Sequence, residues 1–172
     1  MNKEKLFSSK SNEWETPKDL FEKLNKEWNF TLDPSCRDYN STCPKYYTME
    51  TDGLSKSWEG EIVFCNPPYG KELAKWIEKC SVEGTHATVV MLVPSRTDTK
   101  AMQNYCLNTA KAVCFIKGRL KFINRLFPSW REDGNFKVSP APFPTLIAVY
   151  GNKEITESQL KLLEELGHTL LN

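Results

Sequence analysis

Ile62-Val63-Phe64-Cys65-Asn66-Pro67-Pro68-Tyr69-Gly70 decides the fold, because a short apolar strand runs straight into four residues rarely found together. The two prolines fix φ and remove two backbone N–H groups, so the turn is stiff and its carbonyls lack local partners. Ligands of open α/β sheets bind outside the carboxyl ends of the strands, where this turn would lie. An Asn66 amide oxygen and a Pro67 carbonyl suit the two protons of one exocyclic amine, and Tyr69 offers a flat face to a planar ring. Such acceptors would localise the nitrogen lone pair for attack on an electrophilic methyl, by preorganised electrostatics. The bland alternative is a buried turn, with Asn66 capping the next helix and Tyr69 as ordinary core.

Outward from this turn, Leu73, Trp76, Ile77 and Cys80 mark a helix over 71–83, with Gly84 as its stop. The apolar run 87–93 then reads as a strand buried on both faces and closed by Pro94. Strand, helix and strand at this spacing make a parallel crossover unit. Ala101, Met102, Tyr105 and Cys106 predict a further helix face, and Ala112–Ile116 a further strand. Lys117 to Phe122 alternates and is basic, the start of a hairpin arm whose expected partner is the strand Thr145–Tyr150. Thr156-x-x-Gln159 is a capping box, and Leu160, Leu163, Leu166 and Leu170 predict a terminal amphipathic helix.

Towards the amino terminus, Thr16 as N-cap and Pro17 at the first helical position open a helix over 17–28, with Leu20, Phe21, Leu24 and Trp28 on its apolar face. Residues 30–32 form a strand that delivers Asp33 and Pro34 at a second strand-to-turn junction. The Asp33 carboxylate suits a cofactor's ammonium or hydroxyls, or else caps its own turn. Tyr46-Tyr47-Thr48 makes a brief strand, and Asp52-Gly53-Leu54 a turn whose acid faces the same region. Residues 1–12 read as a loose polar end. The segment 124–144 has four prolines and little periodicity, and a structureless loop of that length is usually functional.

The whole reads as one compact α/β domain over 1–172. With 23 basic and 22 acidic residues the formal charge is +1, so no global field recruits nucleic acid and a polyanion site must be a local patch. The best patch is Arg119, Lys121, Arg125, Arg131 and Lys137, interleaved with Phe122, Phe127, Trp130 and Phe136. The alternative is a solvated loop whose aromatics cover the sheet edge. The six cysteines form no Cys-x-x-Cys pair and only two histidines are present, which fits reduced core thiols of a cytoplasmic protein and argues against a metal site. No apolar run is long enough to span a bilayer.

Read together, Trp14-x-Thr16-Pro17, Leu32-Asp33-Pro34, Asp52-Gly53-Leu54, Asn66-Pro67-Pro68-Tyr69, Pro94-x-Arg96-Thr97-Asp98, Gly118-Arg119-Leu120-x-Phe122 and Ala141-Pro142-Phe143-Pro144 resemble the phage-type DNA N6-adenine methyltransferases, the Dam family of phages and prophages. The likeness runs from Trp14 to Tyr150. It implies a doubly wound, mostly parallel sheet of the Rossmann-like methyltransferase fold, S-adenosylmethionine as cofactor, and DNA with a flipped adenine as partner, in a bacterial host cytoplasm. By the same resemblance Asn66, Pro67, Pro68 and Tyr69 are catalytic. Trp14, Thr16, Pro17, Asp33, Pro34, Asp52 and Leu54 bind the cofactor, and Phe122 lies against the base; the local basic patch, Arg119, Lys121, Arg125 and Arg131, is then the expected DNA contact. In one departure, the turn 33–37 lacks the glycine that many methyltransferases carry there to let backbone approach the cofactor. The tetrad also serves enzymes acting on RNA guanine N2 or on protein glutamine, and a non-catalytic nucleic-acid-binding module is the rival from another class.

Overall fold

The structure is a computed structural model that describes residues 13–123, 131–132, 135–136 and 140–172, the two short pairs by their backbone alone. The first helix, α1, spans Lys18–Trp28 and buries Leu20, Leu24 and Trp28. Strand β1 (Leu32–Asp33) follows, then β2 (Lys45–Tyr46) and a 3-10 turn at Gly53–Ser55. The crossover unit is present as β3 (Ile62–Cys65), α2 (Leu73–Glu83) and β4 (Thr88–Pro94), with β3 and β4 parallel from Ile62 opposite Thr88 to Cys65 opposite Met91. A short α3 (Lys100–Met102) runs into a π-helical turn at Gln103–Leu107, and β5 (Ala112–Ile116) comes next. The strands β6 (Arg131–Glu132) and β7 (Asn135–Phe136) pair antiparallel with each other. The chain closes with β8 (Thr145–Tyr150), α4 (Glu157–Leu166) and β9 (Gly167–Leu171).

Seven strands form one sheet in the order β2-β1-β3-β4-β8-β5-β9. Their pairings make five of them, β1 to β5, point the same way, while β8 and β9 run against them. The expected α/β sheet, mostly parallel, is therefore the one observed. Consecutive strand residues face opposite sides of a sheet, and β3 shows both being covered. The Phe64 ring packs on Phe21 of α1 at 5.2 Å, whereas the next side chain, Cys65, meets Cys80 of α2. Val89 to Val93 are completely buried, as a central strand covered on both faces requires.

Three expectations are corrected. The strand β8 does not pair with a basic arm ending near Phe122; it inserts between β4 and β5, opposing Met91 with Ala148 and Val113 with the same Ala148. All six of its residues are buried, and only a central position hides both faces. The terminal helix stops at Leu166 instead of continuing through Leu170. Gly167 is fully extended there, and a Cβ on it would stand 2.0 Å from the Phe115 carbonyl oxygen. That close approach turns the chain into β9, which edges β5 with Gly167 opposite Ile116. Thirdly, Thr16 does not cap α1: Pro17 holds the N-cap position and no side chain caps this helix. Gly84 does end α2 but in right-handed conformation, and it is needed because a Cβ would meet that of Tyr150 at 2.5 Å. The Thr156 capping box is present in both halves.

All six cysteines are free, and five are buried. Burial pushes the Cys43 thiol up to about 12, with the nearby Asp33 charge adding to the rise, so it packs as an apolar group. No helix among the described residues is long and apolar enough to cross a membrane. The loose end expected over 1–12 lies outside the described residues, as does most of 124–139.

Candidate active site

The carboxyl ends of β1 and β3 open on a cleft of about 1170 Å3. Its wall includes the stretch 13–16 before α1, the turn after β1, residues 48–49, the 3-10 turn at Gly53–Ser55, the Asn-Pro-Pro turn after β3 and the start of α2. Of the residues expected at a cofactor, Trp14, Thr16, Asp33, Pro34, Asp52 and Leu54 are brought together in its wall, and Pro17 is not.

At the floor of the turn after β3, the Asn66 amide is held from one side only. Its Nδ2 donates to the Trp14 carbonyl at 2.6 Å and to Thr16 Oγ1 at 2.9 Å. Its Oδ1 is shielded from solvent and has no hydrogen-bond partner. A buried acceptor left without a donor costs about 1–3 kcal/mol, so this oxygen is a deficit that folding has not repaired. Pro67 is buried beside it, and the two residues that follow Asn66 have no N–H to offer it.

Tyr69 departs from the expectation of an open ring face. It is 6% exposed, its hydroxyl donates to the Leu92 carbonyl at 3.2 Å, and its ring is edge-on to Phe122 at 6.0 Å and Phe143 at 5.6 Å. Burial pushes its phenol well above the usual value, so it stays a neutral donor. Trp14 completes the cluster, edge-on to Phe143 at 5.1 Å and to Phe122 at 6.0 Å. Phe122 is thus beside Tyr69 as a base-facing aromatic should be, but fully buried. Phe143, which the sequence shows only within a proline-rich string, is a member of this cluster to which sequence reasoning assigns no role.

Asp33 sits at the end of β1, 5% exposed. Its Oδ2 accepts from Thr42 Oγ1 at 2.7 Å and Thr42 N at 3.3 Å, and its Oδ1 from Ser35 N at 3.3 Å. Burial raises its carboxyl above the usual range, against the pull of these donors. Asp52 is exposed, adopts left-handed φ of 52°, and caps the 3-10 turn through Oδ1 from Leu54 N at 3.2 Å. The next residue, Gly53, packs against the turn 33–37: a Cβ on it would stand 2.0 Å from the Pro34 carbonyl oxygen, so only glycine fits there.

The stretch 13–16 ties these parts together. Glu13 pairs with Arg37 of the turn after β1, and Glu15 exchanges two backbone hydrogen bonds with Ile123, at 3.0 and 3.1 Å. Arg119 and Lys121 are exposed just beyond β5, on the sheet edge that carries the cleft, and Arg96, after β4, is exposed there too. Arg125 and the side chain of Arg131 lie outside the described residues, as do Phe127, Trp130 and Lys137 and the side chain of Phe136.

The profile of a family described as DNA N-6-adenine-methyltransferase (Dam) matches residues 3–147. A DNA N-6-adenine-methyltransferase of Haemophilus phage HP1 (strain HP1c1) is 30% identical over 128 residues, which are 72% of this chain and 73% of that protein. A second protein of that description, from Escherichia phage T1, is 26% identical over 103 residues, covering 58% of this chain and 43% of its own length.

Proposed function

The chain belongs to the DNA N-6-adenine-methyltransferase (Dam) family, and from that premise we propose that it methylates N6 of an adenine drawn out of DNA into the cleft beside Asn66, with S-adenosylmethionine as donor. The observation that carries this reading is the orphaned Asn66 Oδ1, an acceptor whose partner is missing from the folded chain. An exocyclic amine is the group that fits it. One N–H goes to Oδ1 and the other to the adjacent Pro67 carbonyl. Held so, the nitrogen is drawn toward tetrahedral geometry and its lone pair becomes available on one face.

The donor set around the cleft suits a ligand with an ammonium, hydroxyls and a planar base. Asp33 and Asp52 offer acceptors, and the Trp14 and Leu54 side chains offer apolar surface. S-adenosylmethionine, when bound, supplies an electrophilic methyl on a sulfonium. N6 would take that methyl with the neutral thioether as leaving group, and its surplus proton would pass to solvent water. Asn66 and Pro67 contribute by orienting the amine and stabilising the positive charge it acquires, which is differential binding of the transition state. Extruding the adenine costs a few kcal/mol of stacking and pairing. Tyr69 meets that base only when Phe122 and Phe143 part from its ring, since both now enclose it.

Transfer of labelled methyl groups to DNA, RNA and protein, followed by digestion to nucleosides and amino acids, tests the reading. The label is expected in N6-methyladenine from DNA; label in guanine N2 or glutamine, with none in adenine, would overturn it.

A further inference from the structure

Thr16 stands where the resemblance implies a cofactor contact, yet the structure spends its hydroxyl on Asn66. The helix that follows takes no cap from Thr16, because Pro17 occupies the N-cap position. Its Oγ1 instead accepts from Asn66 Nδ2 at 2.9 Å, alongside the Trp14 carbonyl at 2.6 Å. A carbonyl accepts and never donates, so only the NH2 of Asn66 can face Trp14. With both N–H groups claimed, the amide plane is set and Oδ1 is turned to the opposite side, where it has no partner. Rotation of the amide by half a turn would put Oδ1 against the Trp14 carbonyl, acceptor against acceptor.

The two acceptors are themselves held. The bridge between Glu15 and Ile123 fixes the backbone one residue from each, and the Trp14 ring is packed on Phe122 and Phe143. We propose that Thr16 is a positioning residue for the reaction: together with the Trp14 carbonyl it fixes the Asn66 amide so that Oδ1, and not the NH2, meets the target amine. The arrangement explains why asparagine stands at this position here. An aspartate would present a second carboxylate oxygen to the Trp14 carbonyl, with no proton between them. This inference rests on the function proposed above.

The test compares Thr16→Val, which keeps the shape and removes the acceptor, with Thr16→Ser, which keeps the oxygen. Thr16→Val should lower kcat about tenfold, the worth of one orienting hydrogen bond. Its affinity for S-adenosylmethionine by calorimetry should stay at the wild-type value, and Thr16→Ser should keep most of the rate. In an Asn66→Ala background, Thr16→Val should cost nothing further. A loss confined to donor affinity would assign Thr16 to the cofactor and overturn the proposal. So would an unchanged kcat, or a Thr16→Ser protein as slow as Thr16→Val. A readout free of activity accompanies these. The Asn66 side-chain amide protons, assigned by 15N NMR from their disappearance in Asn66→Ala, should exchange with solvent slowly in the wild type and in Thr16→Ser, and faster in Thr16→Val. Equal exchange in all three would refute the hydrogen bond. A wild type that transfers no methyl to DNA would sink the proposed function, while the NMR arm would still decide on Thr16.

Discussion

Among the described residues each end of the sheet holds one buried carboxylate, Asp33 at the carboxyl end and Glu83 at the amino end, and their acidities are shifted in opposite directions. Glu83 closes α2 with every oxygen claimed. Oε1 accepts from Lys79 Nζ at 2.5 Å, and Oε2 from Trp58 N and from His86 Nε2, both at 2.8 Å. Burial alone would raise this carboxyl, but the Lys79 ammonium, the Trp58 N–H and His86 together hold it below the usual range. The same Lys79 lies over the Trp58 ring at 5.4 Å, and that ring stacks near Trp76. The donors to Asp33 are neutral hydroxyl and backbone groups, and there burial wins. At the end of a neighbouring strand, Asn66 Oδ1 has no partner at all. The amino end is thus satisfied within the chain, while the carboxyl end carries unmet polar demand that a ligand can satisfy. Sites of this kind store the cost of binding groups in advance, and the rest of the fold offsets it.

The contrast can be broken at either end. Glu83→Ala should show the largest effect, a loss of about 3–5 kcal/mol of stability, since it leaves the half-buried Lys79 ammonium and the buried Trp58 N–H without their acceptor. Thermal melting would read this as a fall on the order of 10 °C, with turnover per folded molecule unchanged at lower temperature. A melting point within about 2 °C of wild type, well short of that scale, would remove the claim that this end is built for stability. Asn66→Ala comes next. It should keep the fold and donor binding and lose about 10²–10³ in kcat, the usual worth of one preorganised polar group. Smaller is Asp33→Asn, which trades one 3.3 Å hydrogen bond within the turn for loss of the charge. Donor affinity should drop by about 1.5–3 kcal/mol, typical of a hydrogen bond to a charged group, as isothermal calorimetry would read it.

The opposite shifts also separate the two ends by pH. The folded carboxyl of Glu83 is depressed, so its stabilisation is present above the unfolded value near 4.5 and is lost as pH falls through the folded value below it. The folded carboxyl of Asp33 is raised, so it binds protons more readily folded than unfolded, and stability declines as pH rises from the unfolded value near 3.8 through the folded one. Donor affinity should follow the Asp33 carboxylate, strengthening with pH across that same window, and Asp33→Asn should flatten the profile. The smallest effect belongs to the exposed basic edge. Replacing Arg119 and Lys121 together by alanine should reduce the slope of log affinity for DNA against log salt by about 2, roughly one for each phosphate no longer neutralised.

Much of the fold was legible where it is local. The strand running into Asn-Pro-Pro-Tyr, the β3–α2–β4 crossover and the Thr156 capping box are each written in contiguous residues whose spacing has one physical meaning. What escaped was set by distant approach. Gly167 ends α4 because the Phe115 carbonyl lies against it, a fact about β5 and not about the leucine pattern of the helix. Tyr69 is enclosed by Phe122 and Phe143, which lie far along the chain, so its ring could be read equally as a platform or as core. That position 53 must be glycine is likewise set by the Pro34 carbonyl that the fold brings against it, and not by the fragment Asp52-Gly53-Leu54 alone. Thr16 looked like a cap because Thr-Pro before a helix usually is one, and its hydroxyl proved to be claimed by the distant Asn66 side chain.

The most direct test of the central claim, that the partner missing from Asn66 Oδ1 is the exocyclic amine of adenine, is mass spectrometry of nucleosides from DNA of cells expressing either the wild type or Asn66→Ala at matched soluble levels. N6-methyladenine is expected with the wild type and close to none with Asn66→Ala. Equal N6-methyladenine from both proteins would contradict the claim.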